Sequence, residues 1–339
     1  MADKKKAIII GGLGYVGDPL IKLLKDQYEL TVVDPNWFDN KHRYDAVNYI
    51  ETSSFEINEI DAELCIYLAA VSNDPMGATY SEQTHSINCL EAVRLAELCK
   101  LQDKTVRFVL ASSCSVYGAS GDHAKTETDS VLPLTDYAKS KINAEKKLQE
   151  ISGDNLKIIC LRFATACGSS KSTRLDLALN DFVITALGTG SIEVLSDGTP
   201  WRPFIHIKDM SLAIKHSLEA EVRSPFEVFN VGSNEFTYTI KQLAEKIGEL
   251  TDANVSINHE NTTDARSYTV DFQKFKVWYN GSWPTMDLQA TVLELTKFYS
   301  DTTKKYGLDH FRDFRNSRTY CRLKTLQAKP ELFSNKVSE

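Results

Sequence analysis

The 339-residue chain has no apolar stretch long enough to cross a bilayer. Its longest uninterrupted one, Leu64 to Val71, has eight residues, against the ~20 that a spanning helix needs. It also lacks an excess of positive charge: 39 Lys and Arg face 46 Asp and Glu, a formal net charge of −7. No nucleic-acid or membrane partner is therefore expected, although one basic pocket could still hold a phosphate. Seven cysteines is an odd number and none is spaced Cys-x-x-Cys, which predicts a reduced setting with no zinc site or other metal. Internal repeats and low-complexity tracts are missing too. Met1-Ala2-Asp3 followed by three lysines leads straight into a short apolar run ending in glycines. A signal peptide would need a longer apolar region and a cleavage site. What is present, 42% hydrophobic and 25% charged residues, is close to the globular average and excludes disordered and fibrous architectures. The expectation is a soluble, cytoplasmic, globular protein of one large or two intermediate domains.

Short apolar runs alternate with helical patterns along the first half. Ala7–Ile10, Leu30–Val33, Leu64–Leu68 and Phe108–Ala111 read as buried strands. Leu20, Leu23 and Leu24 recur at helical spacing, and Ile87, Leu90, Val93 and Ala96 step by three along a second helix. A third helix is predicted from about Asp136 to Ile151, followed by a strand at Leu156–Leu161. Buried strands alternating with amphipathic helices imply a parallel sheet covered on both faces, and right-handed crossovers make it doubly wound. After Gly168 the pattern changes. Helices near Leu175–Leu187, Lys208–Leu218 and Ile240–Leu250 alternate with strand-like pieces at Ile192–Leu195, Phe204–Ile207 and Val228–Val231. This predicts a smaller C-terminal α/β lobe closing over the carboxyl edge of the first sheet. The expected division is 1–168, whose sheet can draw later strands from beyond 168, then a lobe at 169–300 with a last helix at Leu288–Phe298, then a tail at 301–339 without an assigned place.

Gly11, Gly14 and Gly17 give Gly-x-x-Gly-x-x-Gly directly after the first strand and opening a helix, with Tyr15 and Val16 inside the turn. A pyrophosphate needs backbone that turns tightly and approaches without a Cβ, and a helix N-terminus to face its charge. Asp34 follows seventeen residues after Gly17 at the end of the second strand, where a carboxylate can accept hydrogen bonds from a ribose diol. It would repel a 2′-phosphate, so NAD is expected over NADP. Asp18, an anion beside that site, is expected to point outward.

Tyr137 and Lys141 lie four residues apart and stack on one helix face, the face that Ala144, Leu148 and Ile151 extend inward. An ammonium beside a phenol is expected to lower the phenol's pKa and make the tyrosinate accessible near neutrality. A phenolate that accepts a hydroxyl proton while hydride leaves the same carbon is what alcohol oxidation requires. Tyr320 and Lys324 repeat the spacing, but no strand or hydroxyl-rich loop precedes them. Ser112-Ser113-Cys114-Ser115-Val116-Tyr117-Gly118 does follow a strand, placing hydroxyls at the carboxyl edge where doubly wound sheets bind ligands.

With these motifs in order, and with Leu68-Ala69-Ala70, Asn88, Trp201-Arg202-Pro203-Phe204-Ile205-His206 and Asn230-Val231-Gly232, the chain resembles the extended short-chain dehydrogenase/reductases of the NAD-dependent nucleotide-sugar epimerase/dehydratase type. The likeness runs from about Lys6 to Phe298. It implies a Rossmann domain holding NAD, a smaller lobe holding a nucleoside-diphosphate sugar, and a homodimer. By position it makes Tyr137 the catalytic base, Lys141 its electrostatic partner and a ligand of the cofactor ribose, and Ser113 the hydroxyl bonded to the sugar oxygen. Gly11, Gly14, Tyr15, Val16, Gly17, Asp34, Leu68, Ala69, Ala70 and Asn88 fall at cofactor positions. Asn180, Arg202 and Arg266 fall where relatives contact the sugar nucleotide, chiefly its diphosphate. Where the family's 4,6-dehydratases carry an Asp-Glu pair, this chain has Cys114 and Ser115, which cannot eliminate water near neutral pH. Cys114 is expected to be a buried thiol and not a carbon acid/base, and His206 a packed, hydrogen-bonded histidine. The implied activity is redox chemistry at C4 of the sugar, as a 4-epimerase or C4 dehydrogenase. A 4-ketoreductase is the alternative, and a non-catalytic NAD-binding regulator the alternative of another class.

Overall fold

Alternate residues of the first strand serve two separate cores. Ala7 and Ile9 enter one hydrophobic cluster, Ile8 and Ile10 the other, because successive strand side chains leave opposite faces. The computed structural model describes residues 4–38, 43–72, 74–119, 123–258 and 266–307. Its strands are β1 (Lys6–Ile10), β2 (Glu29–Val33), β3 (Val47–Ile50), β4 (Leu64–Tyr67), β5 (Val106–Ser113), β6 (Leu156–Phe163), β7 (Thr165–Cys167), β8 (Ser191–Val194), β9 (Trp201–His206), β10 (Phe226–Val231), β11 (Thr237–Thr239) and β12 (Asn254–Ile257). The helices are α1 (Gly17–Leu24), α2 (Asp74–Thr79), α3 (Ser81–His85), α4 (Ala92–Lys100), α5 (Asp136–Ile151), α6 (Ala178–Thr189), α7 (Ile207–Glu219), α8 (Ile240–Thr251), α9 (Gln273–Tyr279) and α10 (Leu288–Tyr306).

Seven strands form one parallel sheet in the order β10-β6-β5-β4-β1-β2-β3. The apolar faces of α1, α7 and α9 cover one side, and α4 and α5 cover the other, the Rossmann-type doubly wound arrangement. Chain order reverses between β1 and β4, and a crevice opens at the carboxyl ends of strands at such a switch point. A third cluster, from α6, α8, α10, β8 and β12, forms the core of the smaller lobe. Both β10 and α7 return from beyond residue 168 to complete the larger sheet and its cover. No described helix is long and apolar enough to cross a membrane.

The second helix departs from the simple repeat. Ser86–Glu91 forms a π-helical turn before α4, and the extra residue rotates the buried stripe. Leu90 is thus 44% exposed, while Cys89, Ala92, Leu95, Ala96 and Cys99 are buried. Of the step of three through Ile87, Leu90, Val93 and Ala96, Ile87 and Ala96 are buried and Val93 packs against the core, while Leu90 turns outward.

Candidate active site

A cleft of about 660 Å³ opens over the switch point, lined by the glycine turn, the ends of β4 and β5, the first turns of α5, and the segment after β7. Gly11 has φ +82°, and a Cβ there would stand 2.5 Å from Ala69 N. A Cβ on Gly17 would fall 1.9 Å from Gly12 O. Both positions need glycine, and the turn that results brings bare backbone to the cleft. Gly14, Tyr15, Val16, Leu68, Ala69 and Ala70 line it too. Asp34 caps the site beyond β2. Its carboxylate accepts Leu13 N–H at 3.0 Å and Asn36 N–H at 2.8 Å, which fixes its direction, and burial pushes its pKa up.

Asp18 does not point outward. It is buried and accepts the Lys171 N–H at 3.1 Å, the Tyr44 hydroxyl, and Lys22 Nζ at 3.4 Å. It lies outside the cleft lining, so its charge ties a loop to the first turn of α1 and does not oppose a phosphate in the cleft.

Thr135 starts α5 by accepting the Ala138 N–H with its side chain, and the first helical turn then carries Tyr137 to the cleft wall. Lys141 follows one turn later, buried, with Nζ donating to Ala111 O at 2.8 Å and standing 5.8 Å from the Tyr137 ring centroid. Ser113, the last residue of β5, lies in the same cleft. The phenol is not acidified as the spacing suggested. Burial pushes Tyr137 up to about 12, with the Asp74 charge adding to the rise and a Ser113 hydrogen bond and the Arg174 charge pulling back. The ammonium is engaged by a backbone carbonyl, and burial lowers Lys141 itself to about 8 against the pull of Glu145.

Asn88 and Asn180 do not line the cleft. Asn88 is fully buried and clasps Val71, accepting its N–H at 2.8 Å and donating to its carbonyl at 3.1 Å. Asn180 accepts Gly168 N–H at 2.9 Å and donates to Tyr15 Oη at 2.9 Å and Arg174 O at 2.8 Å. Both shape loops that carry the lining. Arg202 and Arg266 do reach the cleft. Arg202 stacks 5.4 Å from the Tyr268 ring centroid, and Arg266 pairs with Asp74. Cys114 is buried behind Ser113 with Sγ donating to Arg162 O at 3.0 Å, and burial raises its thiol far above the ordinary range. His206 is fully buried. Its Nδ1 accepts Lys208 N–H at 3.1 Å, so Nε2 carries the proton and donates to Glu294 at 3.0 Å. Tyr320 and Lys324 lie outside the described residues.

Sequence reasoning missed Arg174 and Asp176. They line the cleft as a buried ion pair, and Arg174 NH1 also donates to Ser72 O at 3.2 Å and Ser72 Oγ at 2.9 Å. The chain turns at Leu175 and Asp176 between β7 and α6, so no strand or helix period marked the pair.

A glycine turn at the switch point of a doubly wound sheet, sharing one cleft with a serine, a tyrosine and a lysine, defines a dinucleotide-dependent α/β enzyme. The match to the model of the NAD-dependent epimerase/dehydratase family spans residues 7–232, and the chain belongs to that family. UDP-glucuronic acid decarboxylase 1 of Danio rerio is 25% identical over 315 residues, covering 88% of this chain and 73% of the relative. UDP-glucose 4-epimerase of Mycoplasma genitalium is 24% identical, with 88% and 97% covered. Among solved structures, UDP-glucuronic acid 4-epimerase from Bacillus cereus, in complex with UDP-glucuronic acid and NAD, superposes with a TM-score of 0.77 at 20% identity, covering 88% of this chain and 99% of that one. The family is NAD-dependent, and the bare turn at Gly11 and Gly17, with the oriented Asp34 carboxylate beyond it, fits that cofactor.

Proposed function

We propose that the protein oxidises and reduces C4 of a nucleoside-diphosphate sugar with NAD, as a 4-epimerase or a C4 dehydrogenase. The observation that carries this reading is the convergence of Ser113, Tyr137 and Lys141 on the cleft that the glycine turn and Asp34 also line. NAD in that cleft supplies a hydride acceptor and donor. The chain's own residues manage the proton and the geometry. Tyr137 takes the C4 hydroxyl proton, Ser113 hydrogen-bonds the same oxygen, and Lys141 places positive charge one helical turn below the phenol. Asp34 offers acceptors to a ribose diol, which favours NAD over NADP. Arg202 and Arg266, which line the same cleft, offer guanidinium groups to a diphosphate.

Elimination of water is disfavoured, because Ser115 does not ionise near neutrality and the raised Cys114 thiol stays protonated. The ketoreductase remains a second reading, because the same Ser113, Tyr137 and Lys141 constellation run in reverse has the phenol donate its proton to a keto oxygen, and burial favours the protonated phenol. A non-catalytic regulator would not need those three side chains in one cleft. Denaturing the purified protein and identifying the released small molecules tests the proposal. Retained NAD(H) supports epimerisation, and a site that releases none supports a dissociating dehydrogenase or reductase. A panel of UDP-, GDP-, dTDP- and CDP-sugars, followed by nicotinamide absorbance and epimer analysis, comes next. No redox change and no epimer with any of them would defeat the reading.

A further inference from the structure

Arg174 and Asp176 are charged, buried and part of the cleft wall, yet the proton and hydride steps above give them no task. A buried guanidinium is costly unless it is well held, and this one is. The segment 168–176 that carries it is fastened to the glycine turn and the start of α1 at three points. Tyr15 donates its hydroxyl to Gly168 O at 2.6 Å, Ser172 Oγ donates to Leu13 O at 3.1 Å, and Lys171 N–H donates to Asp18 at 3.1 Å. Asn180 donates to Arg174 O at 2.8 Å and so fixes the backbone of the arginine itself.

The fork of Arg174 is used unevenly. Nε and NH2 engage Asp176, while NH1 turns to Ser72, donating to its carbonyl at 3.2 Å and its hydroxyl at 2.9 Å. Ser72 lines the cleft. Helix α2 begins two residues later and packs on the first turn of α5, where a Cβ on Gly77 would be 3.5 Å from Tyr137 N. The guanidinium edge that no carboxylate covers is thus bonded to the wall that meets Tyr137. Other charges near the phenol are engaged elsewhere. Lys139 pairs with Asp136 at 3.2 Å, Lys141 gives Nζ to Ala111 O at 2.8 Å, Cys114 stays a thiol, and Asp74 shares its charge with Arg266. Burial is the largest influence on the Tyr137 proton. Among the charges that act on it, Arg174 comes first and pulls against burial, with Asp74 opposing it.

We propose that Arg174 is a positioning residue for the redox step: its charge, held in place by the segment 168–176, stabilises the Tyr137 phenolate that takes the sugar proton. A cation already fixed in a buried wall needs no reorganisation when the phenolate forms. Asp176 holds the guanidinium and tempers its field. The proposal rests on the nucleotide-sugar reading above and deepens it by giving Tyr137 a second cation besides Lys141.

The test follows the ionisation of Tyr137 in the full-length, NAD-loaded protein by fluorine NMR. Uniform labelling with 3-fluorotyrosine acidifies the phenols into an accessible range, and the Tyr137 signal is the one absent from Tyr137→Phe. In Arg174→Gln its titration should move to higher pH by about one unit, the lower end of what a neighbouring opposite charge does. Arg174→Lys should recover most of that shift. Asp176→Asn, which removes the anion and leaves the cation, should move the titration to lower pH. With a nucleotide sugar that the wild type accepts, NAD reduction at neutral pH by Arg174→Gln should slow about tenfold, the loss of phenolate that one unit brings. Thermal unfolding shows whether each variant is folded. If Arg174→Gln is not, a shift to lower pH in Asp176→Asn supports the proposal and its absence overturns it. An unmoved titration or an unslowed reduction in Arg174→Gln, or no recovery in Arg174→Lys, overturns the proposal. So does a shift to higher pH in Asp176→Asn, the mark of a loop that has merely lost its shape. The titration uses no sugar, so a wild type that turns over none defeats the nucleotide-sugar reading while the titration still decides the charge on the phenol.

Discussion

Helix α5 carries two buried charged groups one turn apart, and they are treated in opposite ways. Glu145 meets Arg162 through Nε at 3.1 Å and NH2 at 2.7 Å, and also accepts Ser112 Oγ at 2.5 Å. Arg162 NH1 then donates to Tyr117 Oη at 2.8 Å, and Tyr117 donates to Asn230 Oδ1 at 2.7 Å. Lys141, as deeply buried, donates a hydrogen bond to a backbone carbonyl. The first group is a closed network that locks β5, β6 and β10 to the helix. The second is a charge held in the interior without an ion-pair partner among the described residues. Buried charge that is fully paired supports a scaffold, whereas buried charge left short of partners marks a place where a ligand completes the set.

Substitutions can break this comparison, and the largest effect is expected at Lys141. Lys141→Met should lower turnover by about 10²–10⁴-fold, the range for a lost acid–base contribution. The same variant should unfold at a higher temperature than wild type, because it removes a charge that burial disfavours. Kinetics and thermal unfolding on one preparation check both. Glu145→Ala should do the reverse, costing about 3–5 kcal/mol in chemical denaturation by leaving Arg162 buried and unpaired. Replacing both partners, as Glu145→Leu with Arg162→Met, should recover most of that loss.

The pH dependence sharpens the same contrast. The folded pKa of Lys141 lies near 8, below its ordinary 10.5, so the unfolded chain binds more protons between those values. Stability attributable to Lys141 should therefore rise with pH across that window. Subtracting the Lys141→Met stability curve from the wild-type curve isolates this rise, and a flat difference would contradict it. Turnover should fall as pH passes through about 8, where the ammonium is lost. The smallest effect is expected at Cys114, on the closed side of the comparison. Cys114→Ala should cost about 1 kcal/mol and leave kcat unchanged.

The glycine turn, the strand ends and the Tyr137/Lys141 face were legible because each depends on local chemistry: glycine conformation, apolar runs and helical spacing. The edge strand β3 was not, since its four residues are at best half buried and the apolar Ile50 faces outward. The short strands β7, β11 and β12 hold three or four residues each, too few for a period to register. The π-turn before α4 shifts a helical phase in a way no fixed repeat anticipates. At the site, Arg202 and Arg266 line the cleft. Asn88 and Asn180 sit beside it and bond backbone, a distinction that only tertiary contacts make. Asp18 looked adverse to phosphate because its neighbours in sequence were visible, while its partners Lys171 and Tyr44 were not. The phenol's acidity was misjudged for a related reason: spacing revealed the nearby ammonium but not the burial that outweighs it.

The most direct test of the account is the reduction of bound NAD by Tyr137→Phe, followed in a single turnover with the nucleotide sugar that the wild type accepts. The phenylalanine keeps the ring and removes only the hydroxyl, so the rate should drop at least about 10²-fold with the sugar nucleotide still bound. A variant that reduces NAD at the wild-type rate would contradict the account.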